Sequence, residues 1–274
     1  MNAIIGDIGN TITKICLIET NTFSIKKIIY FNSNKIVLKG YLKKKLKKII
    51  KNKNINKIAL FSTVVPKYQL ILKKVLKKNF KISLREIKER KIKKIVKINI
   101  KNKNQVGSDR IANAVGVYKN YKCSCIVLDF GTATTFDVVT KNGIYNGGII
   151  APGVKLSMQS LARTADQIPL FSIKKQKKII GKNTIEALRS GFYWGYIGLI
   201  NGIILKIEKE TKKKYKIIFT GGYANLFATS IIRTFVIDNN ITIKGIIEIF
   251  KENRKYLIKW KKKNLFFAPL EDLE

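Results

Sequence analysis

A short motif written twice constrains this chain more than anything else in it. Asp7-Ile8-Gly9-Asn10-Thr11 follows the apolar run Ala3-Ile4-Ile5, and Asp129-Phe130-Gly131-Thr132-Ala133-Thr134-Thr135 follows Ile126-Val127-Leu128. Each copy reads as a buried strand ending on a carboxylate, a glycine turn and a return strand. The copies stand about one domain length apart. Used twice, such a hairpin predicts two similar halves facing one another across a cleft, with oxyanions and a cation between them.

Composition narrows the chemistry. The 274 residues hold one large domain or two ordinary ones, and 46% of them are hydrophobic, as in a globular chain. No apolar run reaches the roughly 20 residues of a membrane span. The N-terminus enters a strand pattern with no basic segment ahead of an apolar one, so a cytoplasmic location and no membrane partner are expected. Histidine is absent. That removes Ser-His-Asp and Cys-His nucleophiles, imidazole bases and histidine-ligated metals. A general base must then be Asp, Glu, Lys, Tyr or a thiolate. Cys16, Cys123 and Cys125, odd in number and without C-x-x-C spacing, read as reduced thiols.

The formal charge of +38 raises the possibility of a polyanion partner. Arginine, however, occupies only positions 85, 90, 110, 163, 189, 233 and 254, and lysine supplies the rest. Phosphate and base recognition favours the bidentate arginine fork. The runs Lys43-Lys44-Lys45 and Lys47-Lys48 alternate with Leu42, Leu46 and Ile49, which is the spacing of a solvated helix face. No specific nucleic-acid partner is expected.

Along the first half, β-branched content predicts strands at 3–8, 12–18, 25–30, 57–61 and 95–100, and apolar spacing predicts helices at 35–51, 67–79 and 109–119. The second half opens with strands at 125–130, 133–140 and 143–150, the last two joined by the turn Lys141-Asn142-Gly143. Helices at 154–163, 183–210 and 223–232 and strands at 215–219 and 234–237 follow. Strand hairpins and then helices in both halves indicate an α/β fold with a mixed sheet in each. The expected division is 1–119, 120–253 and a C-terminal extension, 254–274.

Four stretches carry candidate chemistry. In Asp7 to Lys14, the amides after Gly9 and the side chains of Asn10 and Thr11 suit a terminal phosphate, Asp7 suits Mg²⁺, and Lys14 adds positive charge. The alternative is an ordinary turn with Asx chemistry. In the second copy, Asp129 suits a cation and Thr132 a phosphate oxygen. Gly107-Ser108-Asp109-Arg110 opens an apolar helix. Ser108 reads as an N-cap and Asp109 as a first-turn acid, but capping leaves Arg110 unexplained. The functional reading makes Asp109 a base toward a hydroxyl and Arg110 a donor to substrate. Thr220-Gly221-Gly222, between a strand and a helix, lets a base or ribose approach the backbone. Neither G-x-x-x-x-G-K-[ST] nor a strand-borne G-x-G-x-x-G occurs, which disfavours P-loop and Rossmann sites.

Together with Ser62-Thr-Val-Val-Pro66, Gly147-Gly-Ile-Ile-Ala-Pro-Gly153, Leu161-Ala-Arg-Thr-Ala165, Ile180-Gly-Lys-Asn-Thr184 and Ile241-Thr-Ile-Lys-Gly245, these stretches resemble type III pantothenate kinase, in the acetate-and-sugar-kinase/actin-like superfamily. The resemblance implies two ribonuclease-H-like domains around a central cleft. It implies ATP- and Mg²⁺-dependent phosphorylation of pantothenate to 4′-phosphopantothenate, the first step of coenzyme A biosynthesis. It casts Asp109 as proton acceptor, and Gly107, Ser108, Asp109, Arg110 and Thr184 as pantothenate contacts. Asp7, Ile8, Gly9, Asn10, Thr11, Ile12, Thr13, Lys14 and Thr132 become the ATP positions, and Asp129 the ligand of a monovalent cation, K⁺ or NH₄⁺. It also implies a homodimer. One stretch departs from the pattern: Asn102-Lys103-Asn104-Gln105 stands where the family often has Asn-Pro-x-Glu. The rival readings are a non-catalytic accessory protein of the same fold and a sugar- or polyphosphate-acting kinase; the presence of Asp7, Asp109, Asp129 and Thr132 together favours the pantothenate enzyme.

Overall fold

A computed structural model describes residues 1–50, 54–231 and 233–263. In chain order the strands are β1 Asn2–Ile8, β2 Ile12–Glu19, β3 Ile25–Asn32, β4 Ile58–Thr63, β5 Ser83–Glu86, β6 Lys97–Ile98, β7 Cys125–Phe130, β8 Ala133–Val139, β9 Ile144–Pro152, β10 Lys216–Gly221 and β11 Phe235–Ile237. The helices are α1 Tyr41–Ile49, α2 Pro66–Phe80, α3 Ser108–Tyr121, α4 Val154–Thr164, α5 Thr184–Thr211, α6 Ala224–Ala228, α7 Ile241–Glu252 and α8 Arg254–Lys263.

The chain forms two compact units, one of residues 1–95, 104–116 and 242 onward, the other of 96–103 and 117–241. The expected cut near residue 119 would place β6 in the first half and α7 in the second; the contacts group them the other way. In the first unit the sheet order is β3-β2-β1-β4-β5, and in the second β11-β10-β7-β8-β9-β6. Without the edge strand β6, the second sheet repeats the first: an antiparallel three-stranded meander with parallel strands added beside its first member. These are the two similar halves that the duplicated hairpin predicts, in the ribonuclease-H-like arrangement that the family resemblance implies.

Each unit has its own core. Ile4, Ile8 and Ile15 of the first sheet pack with Leu42, Leu46 and Ile49 of α1 and Leu72 and Leu76 of α2. The second core joins Ile126, Leu128 and Phe136 to Tyr193, Ile200 and Ile204 of α5 and to Phe219 and Phe227. Burying such side chains contributes roughly 1.5–3 kcal/mol each. On α1, Lys43, Lys44, Lys47 and Lys48 are exposed opposite the buried leucines, so the helix carries the expected lysine face.

Several elements differ from the sequence expectation. The helix expected from 35 begins at Tyr41, because Gly40 takes a left-handed φ of 77° and Ser33–Val37 forms a separate 3₁₀ turn. The strand expected at 95–100 contracts to two residues, and the helix expected at 223–232 ends at Ala228. Strand β5 and helix α7 had not been anticipated. Residue 51 of the first expected helix, residue 232 of the later one and residues 264–274 of the expected extension lie outside the described residues; the extension is described to Lys263, as α8. The turn after β8 is as expected: Gly143, at φ 72°, donates to the Thr140 carbonyl at 3.0 Å.

Candidate active site

Strand β1 delivers Asp7, only 9% exposed, to the end of the first sheet. Its antiparallel neighbour across the ladder is Lys14 and its parallel neighbour is Ser62. Opposed residues of a ladder share a face, so the side chains of Lys14 and Ser62 leave the sheet on the same face as Asp7. The turn closes with a Gly9 N–H to Ile12 carbonyl bond of 3.1 Å. Asn10, Thr11 and Ile12 are exposed at its tip, while Ile8 and Thr13 are fully buried. The Thr13 hydroxyl lies 2.8 Å from that of Ser33, which in turn donates to the Gly9 carbonyl at 2.6 Å. Thr13 therefore pins the turn from within.

The Gly107–Arg110 stretch opens α3 in the same unit. Asp109 is half-buried, and its Oδ1 accepts from the Arg110 N–H at 2.8 Å. Burial pushes the Asp109 carboxyl above the usual carboxylate range; the Arg110 N–H, the Arg110 guanidinium and Lys88 oppose the shift without cancelling it. A Cβ at Gly107 would sit 2.5 Å from Asp109 Oδ1, so the bare glycine leaves the carboxylate its present place. Ser108, expected as an N-cap, is instead the first helical residue, and its buried hydroxyl donates to Glu86 at 2.5 Å. Helix α7 steadies α3 from behind. Thr242 donates to Asn113 at 2.8 Å, and a side chain at Gly245 would run into the Ala112 carbonyl. This explains why the chain from Thr242 onward, Gly245 included, belongs with the first unit.

In the second unit Asp129 lies one residue from the end of β7. Its ladder neighbours are Thr135 on β8 and Thr220 on β10. Thr132 is exposed at the turn, and the main chain of Gly153 lies so close to the Thr132 carbonyl that no side chain would fit there. Gly221, at φ 89°, crosses the main chain of Phe130, where a Cβ would be 2.6 Å from the Phe130 nitrogen and oxygen. The space before Gly222 is open. Of the glycine pair, Gly221 therefore serves the fold, and Gly222 leaves room for a ligand.

Thr184 begins α5 behind a capping box: Asn183 Oδ1 accepts from the Glu186 N–H, and Glu186 Oε2 from the Lys182 N–H, each at 2.9 Å. Thr184 lines a cavity of about 550 Å³ between α4 and α5, together with Ser157, Leu161, Leu188, Gly191 and Tyr196. The cavity is largely apolar. Ser157 and Tyr196 hydroxyls, 3.0 Å apart, supply its polar edge, and Tyr196 also donates to the Pro152 carbonyl at 3.1 Å. Sequence reasoning missed Ser157, Tyr196, Glu86 and Lys88, none of which stands in a motif.

The comparisons with known proteins agree with this geometry. Residues 3–206 match the sequence profile of type III pantothenate kinase. The type III pantothenate kinase of Pelagibacter ubique is 50% identical over 244 residues, covering 89% of this chain and 96% of that one. The protein of the same name from Citrifermentans bemidjiense is 38% identical over 195 residues, covering 71% of this chain and 76% of its own. Among solved structures, MreB5 of Spiroplasma citri bound to ADP superposes with a TM-score of 0.51 at 13% identity, covering 94% of this chain and 98% of that one, which shows the actin-like fold.

Proposed function

The chain belongs to the type III pantothenate kinase family, and on that premise we propose how its residues divide the reaction. The protein transfers a phosphoryl group from ATP to pantothenate in coenzyme A biosynthesis. Such a transfer passes through a loose transition state, so the protein contributes positioning and charge rather than covalent chemistry. A chain without histidine is suited to it.

The observation that carries the residue assignment is Asp109. It is a half-buried carboxylate of raised basicity, held at a helix start by its neighbour's N–H. Asp109 accepts the proton of the pantothenate hydroxyl, and Gly107, Ser108 and Arg110 shape and charge the pocket around it. Thr184 contacts substrate from its cavity wall. The amides after Gly9 and the side chains of Asn10 and Thr11 receive the ATP phosphates with Lys14, and Thr132 meets a phosphate oxygen.

The residues fit the ions this chemistry uses. Asp7 is a hard oxygen donor with a lysine beside it, suited to Mg²⁺ bound directly or through water. Among the described residues no cluster of three or more His, Cys, Asp or Glu could hold a metal, so Asp7 would hold Mg²⁺ as a single protein carboxylate. When bound, Mg²⁺ neutralises phosphate charge. Asp129, with Thr135 and Thr220 as its ladder neighbours, offers a carboxylate oxygen to K⁺ or NH₄⁺.

Helix α5 supports a homodimer. Gly191, Gly195, Gly198 and Gly202 form an exposed stripe, and a Cβ at any of them would meet nothing within 4 Å. Leu156 and Leu205 are also exposed on α4 and α5. A bare glycine stripe lets another backbone approach closely. Among the described residues no helix is long and apolar enough to cross a membrane.

The test is turnover of ATP by purified protein with Mg²⁺, with and without K⁺, on pantothenate and on a panel of sugars. Pantothenate-dependent ADP release stimulated by K⁺ is expected; release with a sugar alone would overturn the substrate. Asp109→Asn is expected to lower kcat by about 10²–10⁴-fold with little change in the KM for ATP. Near-normal turnover in that variant would overturn the base.

A further inference from the structure

The segment that leads into Asp109 has little apolar burial to hold it. Asn104 and Gln105 are exposed, and Val106 is the only buried side chain between residues 104 and 107. The hold comes from the far edge of the first sheet. Lys88 Nζ donates to the carbonyls of Asn104 and Val106, each at 2.9 Å, and so bridges two main-chain oxygens on the approach to Gly107. Glu86 Oε1 accepts from the Ser108 hydroxyl at 2.5 Å, and its Oε2 from the Lys88 N–H at 2.6 Å. The two side chains therefore grip the residues on the N-terminal side of Asp109 and are tied to each other.

The gripping residues are themselves fixed. Glu86 ends β5 opposite Phe61 of β4, and the next residue, Ile87, donates to the Phe61 carbonyl at 3.0 Å. The turn that follows is closed by Glu89 N–H to the Glu86 carbonyl and by the Glu86 N–H to Glu89 Oε1, both at 3.1 Å. Lys94 donates to the Lys88 carbonyl at 3.1 Å. Neither Glu86 nor Lys88 lies next to Asp109 in sequence; strand pairing brings them to it.

We propose that Glu86 and Lys88 are positioning residues for Asp109, a clamp at the end of β5 that fixes the 104–108 backbone and with it the direction of the Asp109 carboxylate. The proposal rests on the reading of Asp109 as proton acceptor. Small displacements matter in such a site, since a shift of about 1 Å can cost on the order of 10²-fold in rate.

The experiment is steady-state kinetics of the full chain carrying Glu86→Ala, Glu86→Gln or Lys88→Met, each alone and combined with Asp109→Asn. Glu86→Ala and Lys88→Met are expected to lower kcat by roughly 10- to 100-fold, with the KM for ATP unchanged. Glu86→Gln is expected to stay within about threefold of wild type, because its amide can donate to the Ser108 oxygen while its carbonyl still accepts from Lys88 N–H. On the Asp109→Asn background the same changes are expected to add nothing, since no base is left to misplace.

Losses carried in full into that background would overturn the clamp, and so would kcat within about twofold of wild type in both Glu86→Ala and Lys88→Met. Should Glu86→Ala fail to fold, Lys88→Met decides; it removes the two carbonyl bonds together with a positive charge that acts on Asp109, and faster amide exchange confined to residues 104–110 is the signature that belongs to the lost bonds. Normal protection there would overturn the clamp. A fully active Asp109→Asn overturns the proton-acceptor reading. An impaired Asp109→Asn beside unimpaired Glu86→Ala and Lys88→Met overturns the clamp alone.

Discussion

The hairpin at Asp7 is one residue longer between its paired positions than the hairpin at Asp129, and that residue changes what faces the carboxylate. Asp7 is opposed by Lys14; Asp129 is opposed by Thr135. On the parallel side the two are alike, with buried Ser62 beside Asp7 and buried Thr220 beside Asp129. Apart from the edge strand β6, the sheets around them share one strand order. Two copies of one framework thus place the same acid in different fields. On the proposed reading, Asp7 and Lys14, opposed on the ladder, serve the divalent ion and the phosphates. On the proposed reading, Asp129 with its two threonine neighbours takes the monovalent cation.

That contrast can be broken or sharpened by substitution. The largest effect is expected from Asp7→Asn: a loss of activity on the order of a hundredfold, with the response to K⁺ retained. Loss of the K⁺ response in this variant would mean that the two acids do not divide the ions. Gly107→Ala comes next. Its new methyl displaces the Asp109 carboxylate, so kcat should fall by about tenfold or more while the thermal midpoint stays near wild type. Unchanged kcat would show that the carboxylate tolerates the shift.

Asp129→Ala should abolish K⁺ stimulation, a change of roughly tenfold, and an unchanged K⁺ midpoint would remove the cation from this hairpin. The reciprocal swap is the sharper probe. Thr135→Lys sets an ammonium opposite Asp129, as Lys14 stands opposite Asp7, and should reduce dependence on K⁺. Lys14→Thr should raise the KM for ATP by about tenfold without creating a K⁺ response.

The smallest expected effect is in the pH profile. Burial raises the Asp109 carboxyl, so the acid limb of kcat should begin above the value near 4 of a free carboxylate. Activity is lost as pH falls through that raised value and Asp109 takes up a proton. A limb at the ordinary carboxylate value would show that substrate binding re-solvates the group.

Much of this could be read along the chain. The two hairpins, the turn at Gly143 and the long helix from Thr184 follow from β-branched runs, glycine and apolar spacing. Strand β5 escaped notice because Ser83-Leu-Arg-Glu86 is short and half charged. Helix α7 escaped because Ile241-Thr-Ile-Lys-Gly-Ile-Ile247 is β-branched, and its packing on α3 outweighs that local preference. Of the proposed site, Asp7, Asp109 and Asp129 stand in motifs that the sequence displays, whereas Glu86 and Lys88 stand in none. Glu86 meets Ser108 from 22 residues away, a separation no local pattern records.

The amino-acid sequence by itself determined the repeat, the acids at the strand ends and the absence of imidazole chemistry, because strand periodicity, turn glycines and residue types act within a few residues. Tertiary structure alone decided that Lys14 faces one acid and Thr135 the other, that Gly221 serves the fold while Gly222 stands open, that α7 joins the first unit, and that a clamp on β5 holds the backbone before Asp109. Ladder register and side-chain packing select among partners far apart in the chain, and only the folded molecule settles those distances.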